Sequence, residues 1–385
     1  MISSVRLAWL QLRRQKVRLL VALAGVAFAV ILMMMQIGFE DALYRSGVNF
    51  HRLLKADIVM LNPHYSILPR LTAFPRRRLY QALGFKGVAS VAPIYTSLSH
   101  WQNPATGRLL GVFTIGIDPA RETLDVRELR TGSALLRYPD VVLFDALSRP
   151  EYGPVPALLR TAGEVGTEAS NHRITVRGLV RVGTSFGIDG TIITSDVTFF
   201  RILPGLSRGA VGIGLVQLEP GADANAVRDA LAAAFSSGDV DVLTKQQYID
   251  RETAYWATAT PIGYVFTFGV VMGLVVGAII VYQILFADIA DHLGEYATLK
   301  AIGYRNGYLA GVVLMEAVIL GVGGFFPALG LCAWLYGVTA AATNLPLQVT
   351  TERTVLVLAL TIAMCCVSGL ISLRKLRSAD PAEIF

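Results

Sequence analysis

Four stretches of this chain are apolar without interruption, and one long stretch mixes apolar and polar positions. Residues 19–39 (LLVALAGVAFAVILMMMQIGF) carry no charge. About 20 helical residues at ~1.5 Å each cross a ~30 Å hydrocarbon layer, so this run predicts a first transmembrane helix. Residues 253–287 are also uncharged. Pro261 suits a first helical turn, where its missing N–H costs nothing, and sets a second span at 261–286. A third span runs over 308–336, and a fourth over 354–373 is stopped by Arg374, Lys375 and Arg377.

The pattern over 40–252 is that of a water-facing domain. Phe39, Leu43, Phe50, Leu53 and Leu54 share a helical face and predict that span one continues outward as a stalk. Runs at 56–61, 87–98, 211–218 and 239–243 read as strands, with helices at 75–83 and 223–236. Two β-α-β pieces framing a domain predict a split, ferredoxin-like α+β subdomain. The stretch 108–200 then reads as a mainly-β insertion. Thr244-Lys245-Gln246-Gln247 forms a capping box that starts a helix leading toward Pro261. The fold class expected is an α-helical membrane protein with four transmembrane helices plus a large extracytoplasmic α+β domain.

Charge fixes the orientation. The 385 residues are 54% hydrophobic and 16% charged, with a net charge of +6, against about 25% charged in a typical soluble domain. Disorder is excluded by the apolar content, and a disulfide scaffold by only three cysteines. Residues 40–252 hold 23 basic and 21 acidic residues, whereas residues 1–18 hold five basic residues and no acidic one. Arg6, Arg13, Arg14, Lys16 and Arg18 before span one, and Arg374, Lys375 and Arg377 after span four, place both termini in the cytoplasm by the positive-inside rule. The protein is then a multi-pass membrane protein. Residues 1–18 form a cytoplasmic amphipathic segment, 40–252 the outer domain, 287–307 a cytoplasmic segment and 374–385 a cytoplasmic tail. A cleaved signal peptide fits less well, because the apolar run exceeds a ~15-residue signal core and its small-residue motifs lie inside it.

Gly269, Gly273 and Gly277 recur every fourth residue in span two and mark a close helix–helix or dimer seam. Pro327 in span three predicts a kink or break. Glu316 lies about 12 Å into span three at 1.5 Å per residue. An intramembrane carboxyl is either a proton or substrate site or a satisfied interhelical hydrogen bond. The second reading is favoured, since no second ionisable residue in the spans offers a relay.

Catalytic motifs do not assemble. Gly183-Thr184-Ser185-Phe186-Gly187 matches a nucleophile elbow, but Gly-rich and β-branched residues follow where a helix is required. His51, His64, His100, His172 and His292 lack metal-ligand spacing. There is no phosphate-binding G-x-x-x-x-G-K-[ST] loop. Arg76-Arg77-Arg78 reads as a solvated basic face, with an anionic lipid or protein contact as its alternative. No catalytic residue, cofactor site, metal site or nucleic-acid contact is expected.

Residues 287–307 (ADIADHLGEYATLKAIGYRNG) are polar yet patterned, with Ile289, Leu293, Tyr296 and Leu299 three to four apart. A short helix docked on a partner fits. EYATLKAIGY (295–304) resembles the coupling segment of MacB/FtsX-type ABC transporter permeases, and more closely the DevC family of exporters. The likeness extends through LAWLQL (7–12), the span-one sequence 18–39, FPRRRLYQAL (74–83), VLFDALSRPEYG (142–153) and VGTSFGIDGTIITSD (182–196). It continues through YWATATPIGYVF (255–266), the segment 281–304, RKL (374–376) and ADPAEIF (379–385).

The resemblance implies the permease subunit of an ATP-driven exporter that works as a homodimer. ATP and Mg would be bound by a separate ABC ATPase (DevA-like), with a periplasmic membrane-fusion adaptor (DevB-like) and a TolC-like outer-membrane channel as further partners. The substrate implied is lipid-like or hydrophobic, such as a glycolipid. Asp288, Asp291, His292, Glu295, Tyr296, Leu299, Lys300, Tyr304 and Arg305 would meet the ATPase. The alternative is an FtsX-like mechanotransmitter that activates a periplasmic enzyme without transporting.

Overall fold

The computed structural model describes residues 16–378, apart from 71, 186, 236–237, 305 and 344. The expected amphipathic segment before residue 16 and the tail after 378 lie outside the described residues. The chain divides into two compact units, Leu43–Thr260 and a helical unit built from the flanking residues.

Helix α1 (Lys16–Gly47) runs 32 residues without a break, so span one does continue as a stalk. The short α2 (Asn49–Leu53) follows. The large domain is then built by β1 (Ile58–Leu61), β2 (Phe74–Pro75), α3 (Arg76–Gln81), β3 (Val88–Gln102), β4 (Leu109–Ile117), α4 (Arg127–Gly132), β5 (Val141–Asp145) and α5 (Val155–Ala162). It continues through β6 (Val165–Ala169), β7 (His172–Val180), β8 (Thr191–Ser195), α6 (Asp196–Ile202), β9 (Ala210–Val211), β10 (Ile213–Leu218), α7 (Ala224–Ala234), β11 (Asp241–Thr244) and α8 (Lys245–Ala254).

Nine strands form one sheet in the order β11-β1-β10-β3-β4-β8-β5-β7-β6, and β2 pairs with β9 apart. The first four are mutually antiparallel. With α3 and α7 as crossovers they give the ferredoxin-like arrangement the sequence predicts. β1 is buried on both faces: Ile58 and Met60 join Leu79, Val216, Val227 and Leu231 on one side. Val59 and Leu61 join Ile94, Leu215 and Tyr248 on the other.

The insertion grows directly out of this sheet. The outer half of β3 pairs with β4, β4 runs parallel to β8, and β5 lies between an antiparallel β8 and a parallel β7. Trp101 pairs with Ala169, which brings β6 back to β3 and closes six strands into a ring. Closure removes exposed strand edges. Its interior holds Trp101, Val112, Phe144, Val176 and Ile192. Gly116 is required there, because a Cβ would sit 2.7 Å from Phe199.

The helical unit adds α9 (Pro261–Asp291), α10 (Leu293–Ala301), α11 (Asn306–Thr343) and α12 (Thr351–Ser378). Four helices are long and apolar enough to cross a membrane. They outrun the predicted spans at several ends, because backbone hydrogen bonding continues past the point where charges begin. Pro327 does not break α11. The turn before it carries Gly323 and Gly324, where a Cβ would lie 3.0 Å from Leu23 and 2.7 Å from Val26, so these glycines let α1 pack closely.

The glycine stripe packs within the protomer. A Cβ at Gly269 would lie 2.4 Å from Gln36, at Gly273 3.4 Å from Leu32 and Met33, and at Gly277 2.6 Å from Ala29 and 2.5 Å from Met364. Ala29, Leu32, Met33 and Gln36 are one face of α1. At the other end of the unit, Arg353 donates to Asp41 at 2.6 Å and to the Gln348 carbonyl at 2.8 Å. Its guanidinium lies over Tyr336, whose hydroxyl donates to the Met34 carbonyl.

Candidate coupling site

The coupling site starts where α9 ends. His292 donates its backbone N–H to the Asp288 carbonyl at 3.1 Å, and its Nδ1 lies 3.0 Å from the same oxygen. The imidazole thus adds a side-chain contact at the last turn of α9, on a carbonyl that already accepts the His292 backbone N–H. Asp288 and His292 are both buried. Arg18 at the start of α1 approaches Asp291 at 2.7 Å and Asp288 at 3.9 Å. Two of the residues assigned to the ATPase by resemblance, Asp288 and His292, therefore face inward and hold the junction instead. Burying them there joins α1, α9 and α10 through charge and hydrogen bonds.

The helix that follows is anchored at its far end. Gly303 adopts a left-handed φ of 105° and the Tyr304 N–H donates to the Leu299 carbonyl at 3.1 Å. This is a Schellman termination, which needs a glycine at that position. Leu299 packs toward Ile289, Leu309, Val313 and Leu373. The Tyr304 and Tyr308 rings lie 4.8 Å apart. Tyr296 and Lys300 fall on the same helix, and Arg305 lies outside the described residues.

With one side so anchored, the opposite side is open. Glu295, Thr298 and Ile302 are exposed at spacings of three to four, along one side of α10 and its terminating turn. Ile302 is 71% exposed. A stripe of an acid, a hydroxyl and one protruding apolar side chain on a short, anchored helix is suited to a groove on another protein.

Glu316 departs from expectation. It is fully buried in α11, and among the described residues neither carboxyl oxygen has a hydrogen-bond partner. The interhelical hydrogen bond favoured on sequence grounds is not made among those residues.

The large domain presents no catalytic arrangement at the places the sequence singled out. Gly183 and Gly187 have φ values of 91° and 87°, Ser185 bridges to Ile188, and the next regular element is strand β8 rather than a helix. Arg76 donates to Tyr80 at 3.1 Å and Arg78 to Asp239 at 2.8 Å, so much of the arginine run is used locally. Among the described residues no group of three or more His, Cys, Asp or Glu could hold a metal ion.

One buried network was not visible in the sequence. Glu252 on α8 accepts from Tyr65 at 2.5 Å, from the Trp256 indole at 3.2 Å and from the Leu68 N–H at 3.4 Å. His51 on α2 lies 3.4 Å from the same carboxylate. Burial, then the neighbouring Tyr248 and Glu252, push the Tyr65 phenol well above its usual value. The four-residue spacing of Glu252 and Trp256 is the only local hint, since His51 and Tyr65 come from distant segments.

Four helices able to span a bilayer, with an α/β domain inserted after the first and a short exposed helix after the second, define the membrane subunit of a transporter-type assembly. A family model of MacB-like periplasmic core domains matches residues 19–234, and one of FtsX-like permease C-terminal regions matches residues 267–381. The chain belongs to the MacB/FtsX-type ABC transporter permeases. Permeases of this family are generally not catalytic themselves, and the family implies an ABC ATPase partner.

Among solved structures, the periplasmic region of MacB from Actinobacillus actinomycetemcomitans is similar at 10% identity and a TM-score of 0.35, over 53% of this chain and 95% of that one. The extracellular domain of the ABC-type transporter YknZ from Gram-positive bacteria is similar at 12% identity and a TM-score of 0.31, over 49% of this chain and 99% of that one. A domain of a permease protein from Porphyromonas gingivalis gives 14% identity and a TM-score of 0.29, over 50% and 89%. No curated protein matched.

Proposed function

We propose that this chain is the permease subunit of an ATP-driven exporter of the DevC/MacB type, lodged in a bacterial inner membrane with both termini in the cytoplasm. A separate ABC ATPase docks on the exposed stripe of α10, and its motion is passed along α9 and α1 to the large domain on the other side. The observation that carries this reading is the stripe Glu295, Thr298 and Ile302 along α10 and its terminating turn. A helix held by the buried His292 before its first turn and by Leu299 and Gly303 at its end can transmit a push rather than absorb it. The 32-residue α1, about 48 Å long at 1.5 Å per residue, extends well beyond the ~30 Å hydrocarbon layer.

The reading extends to a homodimer, a periplasmic membrane-fusion adaptor, a TolC-like channel and a lipid-like or hydrophobic substrate. It is tested by reconstituting the chain with the ATPase encoded beside its gene. Ile302→Asp and Glu295→Lys are expected to reduce permease-stimulated ATP hydrolysis at least tenfold while insertion is unchanged. Full stimulation by the double variant would refute the docking assignment. Undiminished activation of a periplasmic enzyme, with no substrate leaving the membrane, would favour the FtsX-like alternative.

A further inference from the structure

Four carboxyl groups and one guanidinium lie toward one end of the helical unit. Glu316 on α11 is 0% exposed, and among the described residues both its oxygens are unpartnered. Asp288 on α9 is buried as well, and its Oδ2 has no partner. Asp288 is the charged neighbour whose field reaches Glu316. Around Asp288 stand Arg18 from α1 at 3.9 Å, Asp291 one turn on, His292 with Nδ1 at 3.6 Å and Glu295 from α10. The hydroxyls of Ser368 and Ser372 on α12 are bonded to backbone carbonyls.

The charges here do not balance. Arg18 makes its short contact, 2.7 Å, with Asp291. That leaves Asp288 facing only a distant guanidinium and an imidazole, and Glu316 facing no cation among the described residues. An ionised carboxylate buried without partners costs several kcal/mol, which favours its protonated form where no described cation stands beside it. A hard metal ion requires about six or more oxygens. Three orphan oxygens on two side chains are too few, and the His292 Nδ1 is turned to a backbone carbonyl.

We propose that Glu316 and Asp288 form a proton-binding site beneath the coupling helix, with Glu316 carrying the proton. The step is a simple exchange, in which one O–H bond is made or broken at the carboxyl and the proton passes to or from water by way of Asp288 and the exposed Asp291. His292 is the residue at which α9 gives way to α10. A displacement of α10 that draws His292 away removes one partner from Asp288, so proton occupancy follows the position of this helix. The site itself does not depend on what docks there.

The test is infrared difference spectroscopy on the full chain in lipid nanodiscs, comparing the native protein with Glu316→Gln. Gln has the shape of the neutral acid, so the variant should melt within a degree or two of the native protein. The native spectrum should show a protonated-acid carbonyl band, shifted in D2O, that Glu316→Gln loses. Loss of a carboxylate band instead would overturn the proposal. A second measurement uses the unaltered chain and dicyclohexylcarbodiimide, which adds only to protonated carboxyls. Mass spectrometry should find the adduct on Glu316 at neutral pH, declining as pH rises. Glu316 unmodified at every pH would equally overturn it.

Discussion

Replacing Glu252 by alanine removes the acceptor on which three segments of the large domain converge. The carboxylate accepts from the Tyr65 hydroxyl, the Trp256 indole and the Leu68 N–H, and lies 3.4 Å from His51. It is 1% exposed, so water cannot replace it. Each buried donor left without an acceptor costs about 1–3 kcal/mol. The terms are not independent, and losing one member of such a buried set costs about 3–5 kcal/mol in all. For a unit of this size about 1 kcal/mol lowers Tm by roughly 2–4 °C, so a fall of about 10 °C is expected. Glu252→Gln keeps the volume and one acceptor oxygen and should cost about 1–2 kcal/mol. The assay is thermal unfolding followed by near-ultraviolet circular dichroism, which reports the tyrosine and tryptophan packing of this network. The reasoning fails if the alanine variant loses under about 1 kcal/mol, or if the two variants lose equally.

Gly277→Leu should destabilise the helical unit by about 1–3 kcal/mol through overpacking, because even a Cβ would meet Ala29 at 2.6 Å and Met364 at 2.5 Å. Unchanged detergent melting with lost dimer cross-linking would place the stripe between protomers instead. Asp140 is the source of an acid-dependent term. Burial opposes its charge, but hydrogen bonds from His172 and Arg201 outweigh this and hold the carboxyl below its usual value. A carboxyl depressed in the folded state adds stability above the unfolded pKa of about 4 and loses it as pH falls through the folded value. Asp140→Asn should therefore flatten the stability curve in that acid window and leave its slope near neutrality unchanged. An identical acid slope in both proteins would refute the assignment.

What the sequence showed and what it hid follow from the range of the interactions. Spans two to four, the stalk and the capping box at Thr244 are local, set by hydropathy, helical spacing and a hydroxyl three residues from its amide. The ferredoxin-like part was legible because its strands are short apolar runs bounded by breaks and its longer helix carries one apolar face. The ring closure was not, since it rests on Trp101 meeting Ala169 across 68 residues. At the candidate coupling segment the sequence marked a patterned polar helix but not its faces. Asp288 and His292 look like exposed polar residues until the end of α9 turns them inward. Glu316 was visible as an anomaly, and its lack of any partner was not, because a missing contact leaves no pattern in a sequence. The network around Glu252 joins segments almost 200 residues apart, with no motif at any of them.

The central claim is that the exposed side of α10 meets an ABC ATPase. A photo-crosslinking amino acid placed at Ile302 in native membranes, with a second at Ile279 on the exposed side of α9 as control, tests it directly. The account predicts a cross-linked product from position 302 that mass spectrometry identifies as a P-loop ATPase, absent from position 279. Cross-links from position 302 to lipid alone, or to the same proteins as from position 279, would contradict it.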